Sequence, residues 1–322
     1  MATFNEETTA QDVIDAFGSE AAGKTFVITG PSQGGIGASA AIHLAKAKPA
    51  RIVLAGRSLA KIQPVIDEIK GVNSSVSVDF VSLDLLDRAS VRQAGAEIKR
   101  LTNEVSALIN NAGIMAVEHF TKSQDGVEGQ FETNHVGHFL LTSLLMPELK
   151  KAKGVVVNVS RGTTYDCWEA YGRSKLANVL FGIELGKRMS KFGGAAFSVS
   201  PGFIPETKLL VNSDVNEKRL TAAFEDAKEK NGGVAPVQRV ATIEEGAANL
   251  ILPALDPKLR SKKDTLGIKE NMAAQLTSMA ESSGAFILEC GIGSVPDWAG
   301  GADRPEKLWR LSEKLIGQEV VV

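Results

Sequence analysis

The segment Thr25-Phe-Val-Ile-Thr-Gly-Pro-Ser-Gln-Gly-Gly-Ile-Gly37 joins a short apolar run to a glycine-rich turn. The β-branched run Thr25–Thr29 predicts a buried strand, and the Ala-rich residues 38–47 predict a helix after the turn. Glycines between a strand and a helix let backbone amides approach a pyrophosphate, which then lies at the helix N-terminus. Such a turn alone is weak evidence, but its position here favours dinucleotide binding over an ordinary tight turn.

Strands and helices alternate along the chain. Further strands are predicted at residues 51–55, 76–83, 107–109, 154–159 and 195–199. Helices are predicted between them at residues 59–70, 89–100, 131–149 and 171–192. Because these strands are apolar on both sides, they predict a parallel sheet that helices cover on both faces. We therefore expect an α/β fold with one Rossmann-like, doubly wound parallel sheet.

The domain organisation follows from the absence of a linker or repeat in the 322 residues. One dinucleotide-binding and catalytic domain is expected over residues 21–322. Residues 1–20 are expected to form a helical extension packed outside it, because Thr9-Ala-Gln-Asp12 is a capping pattern before a short amphipathic helix. Residues 208–285 are rich in charge and lack strong strands, which favours a small helical cap over the substrate side.

Composition excludes several classes of protein. The net charge of −2 gives no electrostatic argument for nucleic acid or an anionic membrane. Only Cys167 and Cys290 occur, so a disulfide framework is not expected and a reducing compartment fits best. No apolar stretch approaches the roughly 20 residues of a membrane helix, and no secretory signal is visible. We expect a cytoplasmic protein that binds a small molecule, with homo-oligomerisation left open.

Tyr171-Gly-Arg-Ser-Lys175 sets a phenol and an ammonium four residues apart, so that on a helix they share one face. The ammonium stabilises the phenolate, which suits the phenol to general acid or base catalysis. The pair is notable because the chain has only two tyrosines. His135 and His138 lie in an apolar segment without acids or thiols at ligand spacing. We interpret both as structural and expect no metal site.

The second predicted strand indicates which dinucleotide is bound. It ends in Leu54-Ala-Gly-Arg-Ser58, without the acid that usually holds the ribose hydroxyls of NAD. Arg57 could instead neutralise a 2′-phosphate through charge-assisted hydrogen bonds. This favours NADP(H), and the alternative is that Arg57 is an ordinary solvated loop arginine.

Five motifs stand in order along the chain: Thr29-Gly30 with Gly35-Ile36-Gly37, Asp84-Leu85, Asn110-Asn111-Ala112-Gly113, Tyr171 with Lys175, and Pro201-Gly202. Together they resemble the short-chain dehydrogenase/reductase superfamily. Within it, Phe131-Glu-Thr-Asn-His-Val-Gly-His-Phe139 and Tyr171-Gly-Arg-Ser-Lys-Leu-Ala-Asn178 resemble the retinol dehydrogenase and WW-domain oxidoreductase branch. The ending Lys307-Leu-Trp-Arg-Leu-Ser-Glu-Lys314 resembles fungal members of that branch.

The resemblance implies roles for individual residues. Tyr171 would be the acid/base, Lys175 would bind the nicotinamide ribose, and Asn134 would hold a proton-relay water through its helix backbone. The implied cofactor-binding residues, besides Arg57, Tyr171 and Lys175, are Gly30, Ser32, Gly35, Ile36 and Gly37 at the pyrophosphate, Asp84 and Leu85 at the adenine, Asn111, Ala112 and Gly113 at the ribose, and Pro201, Gly202 and Ile204 at the nicotinamide.

The sequence departs from the family pattern at three places. Gly34 is an extra residue in the glycine turn, Arg161 stands where a second, catalytic serine is expected, and the segment before Tyr171 is short. Ser160 is the first candidate for the missing donor, although strand alternation would turn it away from Tyr171 unless the short loop re-aims it. Arg161 is the second candidate. Thr163 and Thr164 are further alternatives.

These observations support one leading function and two alternatives. The leading hypothesis is an NADPH-dependent oxidoreductase that reduces a ketone or aldehyde, or oxidises an alcohol, of a hydrophobic small molecule, with fungal secondary metabolism as the implied setting. The altered serine position motivates a non-redox cyclase, isomerase or lyase on the same scaffold. A non-catalytic NADP-binding protein is the third possibility, because a fold does not fix a function.

Overall fold

The computed structural model describes residues 4–115, 117, 119–160, 169–207, 239–260, 285–288, 290–293 and 303–322, and single positions at 209, 221, 225, 228, 229 and 233. Three of the serine-role candidates, Arg161, Thr163 and Thr164, lie outside the described residues, as does Cys167.

The sheet has its strands at β1 Thr25–Thr29, β2 Arg51–Gly56, β3 Ser77–Ser82, β4 Ala107–Asn110, β5 Val155–Val159, β6 Ala195–Ser200, β7 Phe286–Leu288 and β8 Gly291–Gly293. Among the described residues the spatial order is β3-β2-β1-β4-β5-β6-β7-β8. The first seven strands run parallel, and β8 runs antiparallel to β7. The chain reverses its direction of travel between β1 and β4, where a doubly wound sheet opens its ligand crevice.

Helices cover both faces of this sheet. They are α1 Ala10–Phe17, α2 Ile36–Lys46, α3 Leu59–Val72, α4 Arg88–Leu101, α5 Gly129–Phe131, a π-helical turn Glu132–Val136, α6 Gly137–Leu144, α7 Met146–Ala152, α8 Glu169–Met189, α9 Ile243–Leu255 and α10 Arg304–Ile316. One face carries α1, α2, α3 and α9, and the other carries α4, α6, α7, α8 and α10. The predicted doubly wound α/β fold is confirmed.

The all-apolar strands supply both cores at once. In β1, Phe26 and Ile28 pack into the core under α2 and α9, whereas Val27 packs into the core under α4 and α6. All three side chains are fully buried. Because successive side chains of a strand point to opposite faces, a strand covered on both sides has to be apolar throughout.

The structure differs from the expectations in its helical layers. The segment expected as one helix over residues 131–149 contains the π-helical turn and α6, and after a break at Leu145 it continues as α7, where Pro147 stands in the first turn. Proline lacks a backbone donor and is best tolerated at a helix start. The helix expected at 171–192 is α8, two residues longer at its N-terminus and three shorter at its C-terminus.

Two helices in segments that were expected to lie at the periphery, α1 in the N-terminal extension and α9 in the cap segment, also differ from the expectations. Thr9 and Asp12 form the capping box predicted for α1. The apolar face of α1 is nevertheless buried in the core against α2 and α9. The helix α9 lies within residues 208–285 but packs in the core rather than over the site. Most other residues of 208–285 lie outside the described residues, and the cap stays a prediction for them. No described helix combines the length and apolarity needed to cross a bilayer.

Candidate active site

The glycine turn forms a cradle at the end of β1. A Cβ atom at Gly30 would lie 2.8 Å from the Cα atom of Ala112, and a Cβ atom at Gly37 would overlap the side-chain amide of Asn111. The extra Gly34 adopts a left-handed φ of 75°, which glycine adopts without penalty. Gly35 is the N-cap of α2 and offers only backbone there. The turn therefore fits a pyrophosphate at the helix N-terminus, with the extra residue accommodated.

The loop after β4 is fastened to this turn. The Thr29 hydroxyl accepts hydrogen bonds from the amides of Asn111 and Ala112, each at 3.0 Å. The Asn111 side chain donates to the carbonyls of Thr29 at 2.8 Å and Gly30 at 3.1 Å. The ends of β1 and β4 are thus held as one unit at the switch point of the sheet.

Asn134 joins this loop to α8. Its side chain accepts from the Ile114 amide at 2.8 Å and donates to the Ile114 carbonyl and the Ser174 hydroxyl, both at 2.9 Å. Ser174 in turn donates to the Tyr171 carbonyl at 2.7 Å. Asn134 is fully buried and lies in the π-helical turn, a local geometry that often occurs at functional sites.

Tyr171 and Lys175 lie one turn apart on α8. The Lys175 Nζ atom is 5.5 Å from the centre of the Tyr171 ring, and both residues are buried. Lys175 donates to the Val159 carbonyl at the end of β5, which also accepts from Asn178. A side chain at Gly113 would lie 3.1 Å from Asn134 Oδ1 and 3.3 Å from Lys175 Nζ. The structure thus brings the predicted acid/base pair and Asn134 together with the loop after β4 that contains Gly113.

Ser160 follows β5 and is buried. Its hydroxyl donates to the Val199 carbonyl of β6 at 3.2 Å, and its amide donates to the same carbonyl at 2.8 Å. In this conformation the hydroxyl proton is directed into the sheet, so a substrate oxygen could accept it only after the side chain turned.

The remaining predicted cofactor residues line the same edge of the sheet. Arg57 follows β2 and is exposed. The Asp84 carboxylate accepts from the Leu86 amide at 3.0 Å, and the backbone of Leu85 lies against Gly137 in α6. The Ser32 carbonyl accepts from the Gly35 amide at 3.0 Å. Pro201, Gly202 and Ile204 follow β6.

Gly246 in α9 contacts two of the predicted cofactor-binding residues, which the sequence did not reveal. A side chain there would overlap Ile204 and lie 2.8 Å from Ile36 Cγ2. The residue that opens the pyrophosphate helix and the residue expected at the nicotinamide therefore meet at this glycine. The three positions are far apart in sequence, so no local pattern could have indicated their contact.

The two buried histidines differ in their surroundings. His138 Nε2 lies 2.9 Å from the Thr29 hydroxyl and Nδ1 lies 3.1 Å from the Asn134 carbonyl. His135 Nε2 lies 2.9 Å from the Ser312 hydroxyl of α10. Burial lowers the pKa of His138 to about 3 and that of His135 to about 4, so both rings are neutral at physiological pH.

Comparison with known proteins identifies the family. The model of the short chain dehydrogenase family matches residues 24–235. The chain belongs to the short-chain dehydrogenase family. Short-chain dehydrogenases are oxidoreductases that bind a nicotinamide cofactor, NAD or NADP, and act on small-molecule substrates.

Relatives of this short-chain dehydrogenase confirm the predicted branch. Oxidoreductase fscI of Fusarium equiseti is 32% identical over 243 residues, which cover 62% of this chain and 94% of that protein. Human retinol dehydrogenase 13 is 36% identical over 197 residues, and mouse retinol dehydrogenase 12 is 38% identical over 198. These matches cover 56% of this chain and only 59% and 62% of the two retinol dehydrogenases.

Solved structures agree with the fold. An uncharacterized protein from Mycobacterium paratuberculosis superimposes with a TM-score of 0.61 at 27% identity, covering 94% of this chain and 96% of that chain. A short-chain dehydrogenase/reductase of unknown function from Caenorhabditis elegans, solved with cofactor, gives a TM-score of 0.57 at 23% identity, covering 73% and 89%.

Proposed function

We propose that this short-chain dehydrogenase uses NADP(H) to reduce a ketone or aldehyde, or to oxidise an alcohol, of a hydrophobic small molecule. The observation that carries the proposal is the buried pair of Tyr171 and Lys175 beside Asn134 and the loop at Gly113, with the Lys175 Nζ atom 5.5 Å from the centre of the Tyr171 ring. The setting that we propose is fungal secondary metabolism, and similarity to an oxidoreductase of Fusarium equiseti supports the fungal part of it.

The cofactor would lie across the switch point of the sheet. The backbone of Gly30, Ser32 and Gly35-Ile36-Gly37 would hold the pyrophosphate, because the glycines leave the space that side chains would fill. Asp84 and Leu85 would flank the adenine, and Asn111, Ala112 and Gly113 the ribose. Pro201, Gly202 and Ile204 would contact the nicotinamide, with Ile204 braced against Gly246.

Arg57 supports NADP(H) over NAD(H). It is exposed immediately after β2, where a guanidinium could form charge-assisted hydrogen bonds with a 2′-phosphate. The chain has no acid at this point to hold the ribose hydroxyls of NAD.

Tyr171 would move a proton at the substrate oxygen, while the bound nicotinamide supplies the hydride chemistry. The Lys175 ammonium favours the phenolate by its charge, and its bond to Val159 fixes its position. Asn134 would hold a proton-relay water through its carbonyl. Ser160 would turn its hydroxyl from Val199 toward the substrate oxygen and stabilise the charge that develops there.

One observation favours a second candidate function. The Ser160 hydroxyl is bonded to Val199, and Arg161 replaces the serine that follows it. If no second hydroxyl beside that of Tyr171 donates to the substrate oxygen, the site suits a cyclase, isomerase or lyase on the same scaffold better than it suits a reductase. Absorbance of NADPH at saturating cofactor with a panel of apolar ketones and aldehydes separates the two, because only the oxidoreductase consumes the cofactor in step with substrate.

A further inference from the structure

A continuous chain of hydrogen bonds runs beneath the site to the π-helical turn. It starts from the loop after β4, residues 111–113, termed the cofactor loop because it is predicted to lie at the cofactor ribose. It begins at the amides of Asn111 and Ala112, passes through the Thr29 hydroxyl and the His138 ring, and ends at the Asn134 carbonyl. Each of its four bonds measures 2.9–3.1 Å. Thr29 and His138 are 109 residues apart in sequence.

The directions of these bonds follow from counting donors and acceptors. A carbonyl only accepts, so His138 Nδ1 must carry the proton that it shares with Asn134. A neutral ring then has an unprotonated Nε2, which accepts the Thr29 hydroxyl proton. The two oxygen lone pairs of Thr29 accept from Asn111 and Ala112. The Ile109 carbonyl is a second possible acceptor for the Thr29 hydroxyl, but it lies at 3.5 Å, compared with 2.9 Å for His138 Nε2. With the Thr29 proton directed to His138, every member is satisfied, and the proton on Nδ1 defines a single tautomer of the ring.

The surroundings of His138 keep the ring neutral. The residue is 1% exposed, and burial is the main cause that lowers its pKa. The positive charge of Lys175 acts in the same direction, as does His135. An imidazolium would lose its bond to Thr29, because a protonated Nε2 cannot accept.

We propose that His138 is a positioning residue, which as a neutral Nδ1–H imidazole ties the Asn134 carbonyl to the loop that carries the cofactor ribose. The inference rests on the proposed function, in which that carbonyl holds the relay water. A carbonyl oxygen has two lone pairs, and the bond from His138 Nδ1 takes one of them and fixes the direction of the carbonyl. The relay residue and the cofactor loop thereby keep a fixed relation.

Two conservative variants test the two halves of this hydrogen-bond chain separately. In His138→Asn, the amide nitrogen stands near the position of Nδ1 and can still donate to Asn134, but Thr29 loses its acceptor at 2.9 Å and keeps only the Ile109 carbonyl at 3.5 Å. In His138→Gln, the amide oxygen stands near the position of Nε2 and can still accept from Thr29, but Asn134 loses its donor. We expect His138→Asn to weaken NADPH binding about three- to tenfold with kcat little changed. We expect His138→Gln to lower kcat by about the same factor with NADPH affinity little changed.

His135→Gln is the matched control. His135 is also buried in this helical segment, and a glutamine can keep the bond of Nε2 to Ser312. It should alter thermal stability while leaving kcat and NADPH affinity within about twofold. Affinity is read by fluorescence titration of NADPH, and kcat by NADPH consumption with an accepted carbonyl substrate.

Nitrogen chemical shifts of ¹⁵N-histidine in the wild-type protein test the chain without any variant. The expected result is a neutral His138 with the proton on Nδ1. An Nε2–H tautomer, or an imidazolium at neutral pH, overturns the proposal. So does a parallel loss of kcat and affinity in both His138 variants, which indicates packing alone, or no change in either. Absence of turnover in the wild type rejects the proposed function instead, while the tautomer and the titrations still decide the coupling of His138 to the cofactor loop.

Discussion

Replacement of Gly37 by alanine probes the cradle for the pyrophosphate. The new Cβ atom would overlap Asn111 Nδ2 and lie 2.9 Å from Asn111 Cγ. The Asn111 side chain would have to leave its bonds to the Thr29 and Gly30 carbonyls, at 2.8 and 3.1 Å. Two bonds at about 0.5–1.5 kcal/mol each contribute about 1–3 kcal/mol together, and helix propensity offsets about 1 kcal/mol of this, which leaves a loss of about 0–2 kcal/mol in the free energy of unfolding.

The same displacement should weaken NADPH binding about tenfold or more, because in the proposed binding mode the loop at Asn111 and the first turn of α2 would both contact the cofactor. Fluorescence titration gives the affinity, and urea denaturation gives the stability. Gly71→Ala is the control, since a side chain at Gly71 in α3 meets nothing within 4 Å. It should be neutral or slightly stabilising with unchanged affinity. If Gly37→Ala binds NADPH as tightly as the wild type and is equally stable, the cradle is misassigned.

Three further changes test separate parts of the account. Arg57→Asp should shift preference from NADPH toward NADH by about ten- to a hundredfold, measured as the ratio of the two dissociation constants, and equal affinity of the wild type for both would contradict the role of Arg57. Arg88→Ala leaves Glu132, fully buried and bonded twice to Arg88 at 2.8 Å, without its counter-ion. It should lower the free energy of unfolding by about 3 kcal/mol in urea, and a loss under about 1 kcal/mol would show that the pair contributes little. Ser160→Ala should reduce turnover at saturating NADPH at least tenfold and more than Arg161→Ala does, and the reverse order would move the donor role to Arg161.

The sequence was sufficient for features that depend on neighbouring residues. The strand from Thr25 to Thr29 has the predicted bounds, and so does the capping box of α1. The cofactor motifs follow strand ends, so a parallel sheet necessarily brings them to one edge. The family followed from the order of these motifs rather than from any single one.

Features that depend on distant contacts could not be predicted. The π-helical turn interrupts a segment whose apolar pattern indicates one continuous helix. His138 was interpreted as structural because no acid or thiol stands at ligand spacing beside it, and its contact with Thr29, at the end of another strand, leaves no local signal. The strand β7 has three residues and pairs with β6, so its signal is tertiary rather than local. The orientation of the Ser160 hydroxyl could not be predicted either, because the Val199 carbonyl on another strand determines it.

The central claim, that Tyr171 supplies the proton in an NADPH-dependent reduction, is tested most directly by Tyr171→Phe. The substitution removes only the phenolic hydroxyl of a buried ring, so the fold should be unchanged. The NADPH dissociation constant should stay within about twofold of the wild-type value. Initial rates of NADPH consumption with an accepted apolar ketone should fall by about 10²–10⁴ in kcat, the usual contribution of a general acid or base. Turnover equal to that of the wild type would contradict the claim that Tyr171 supplies the proton.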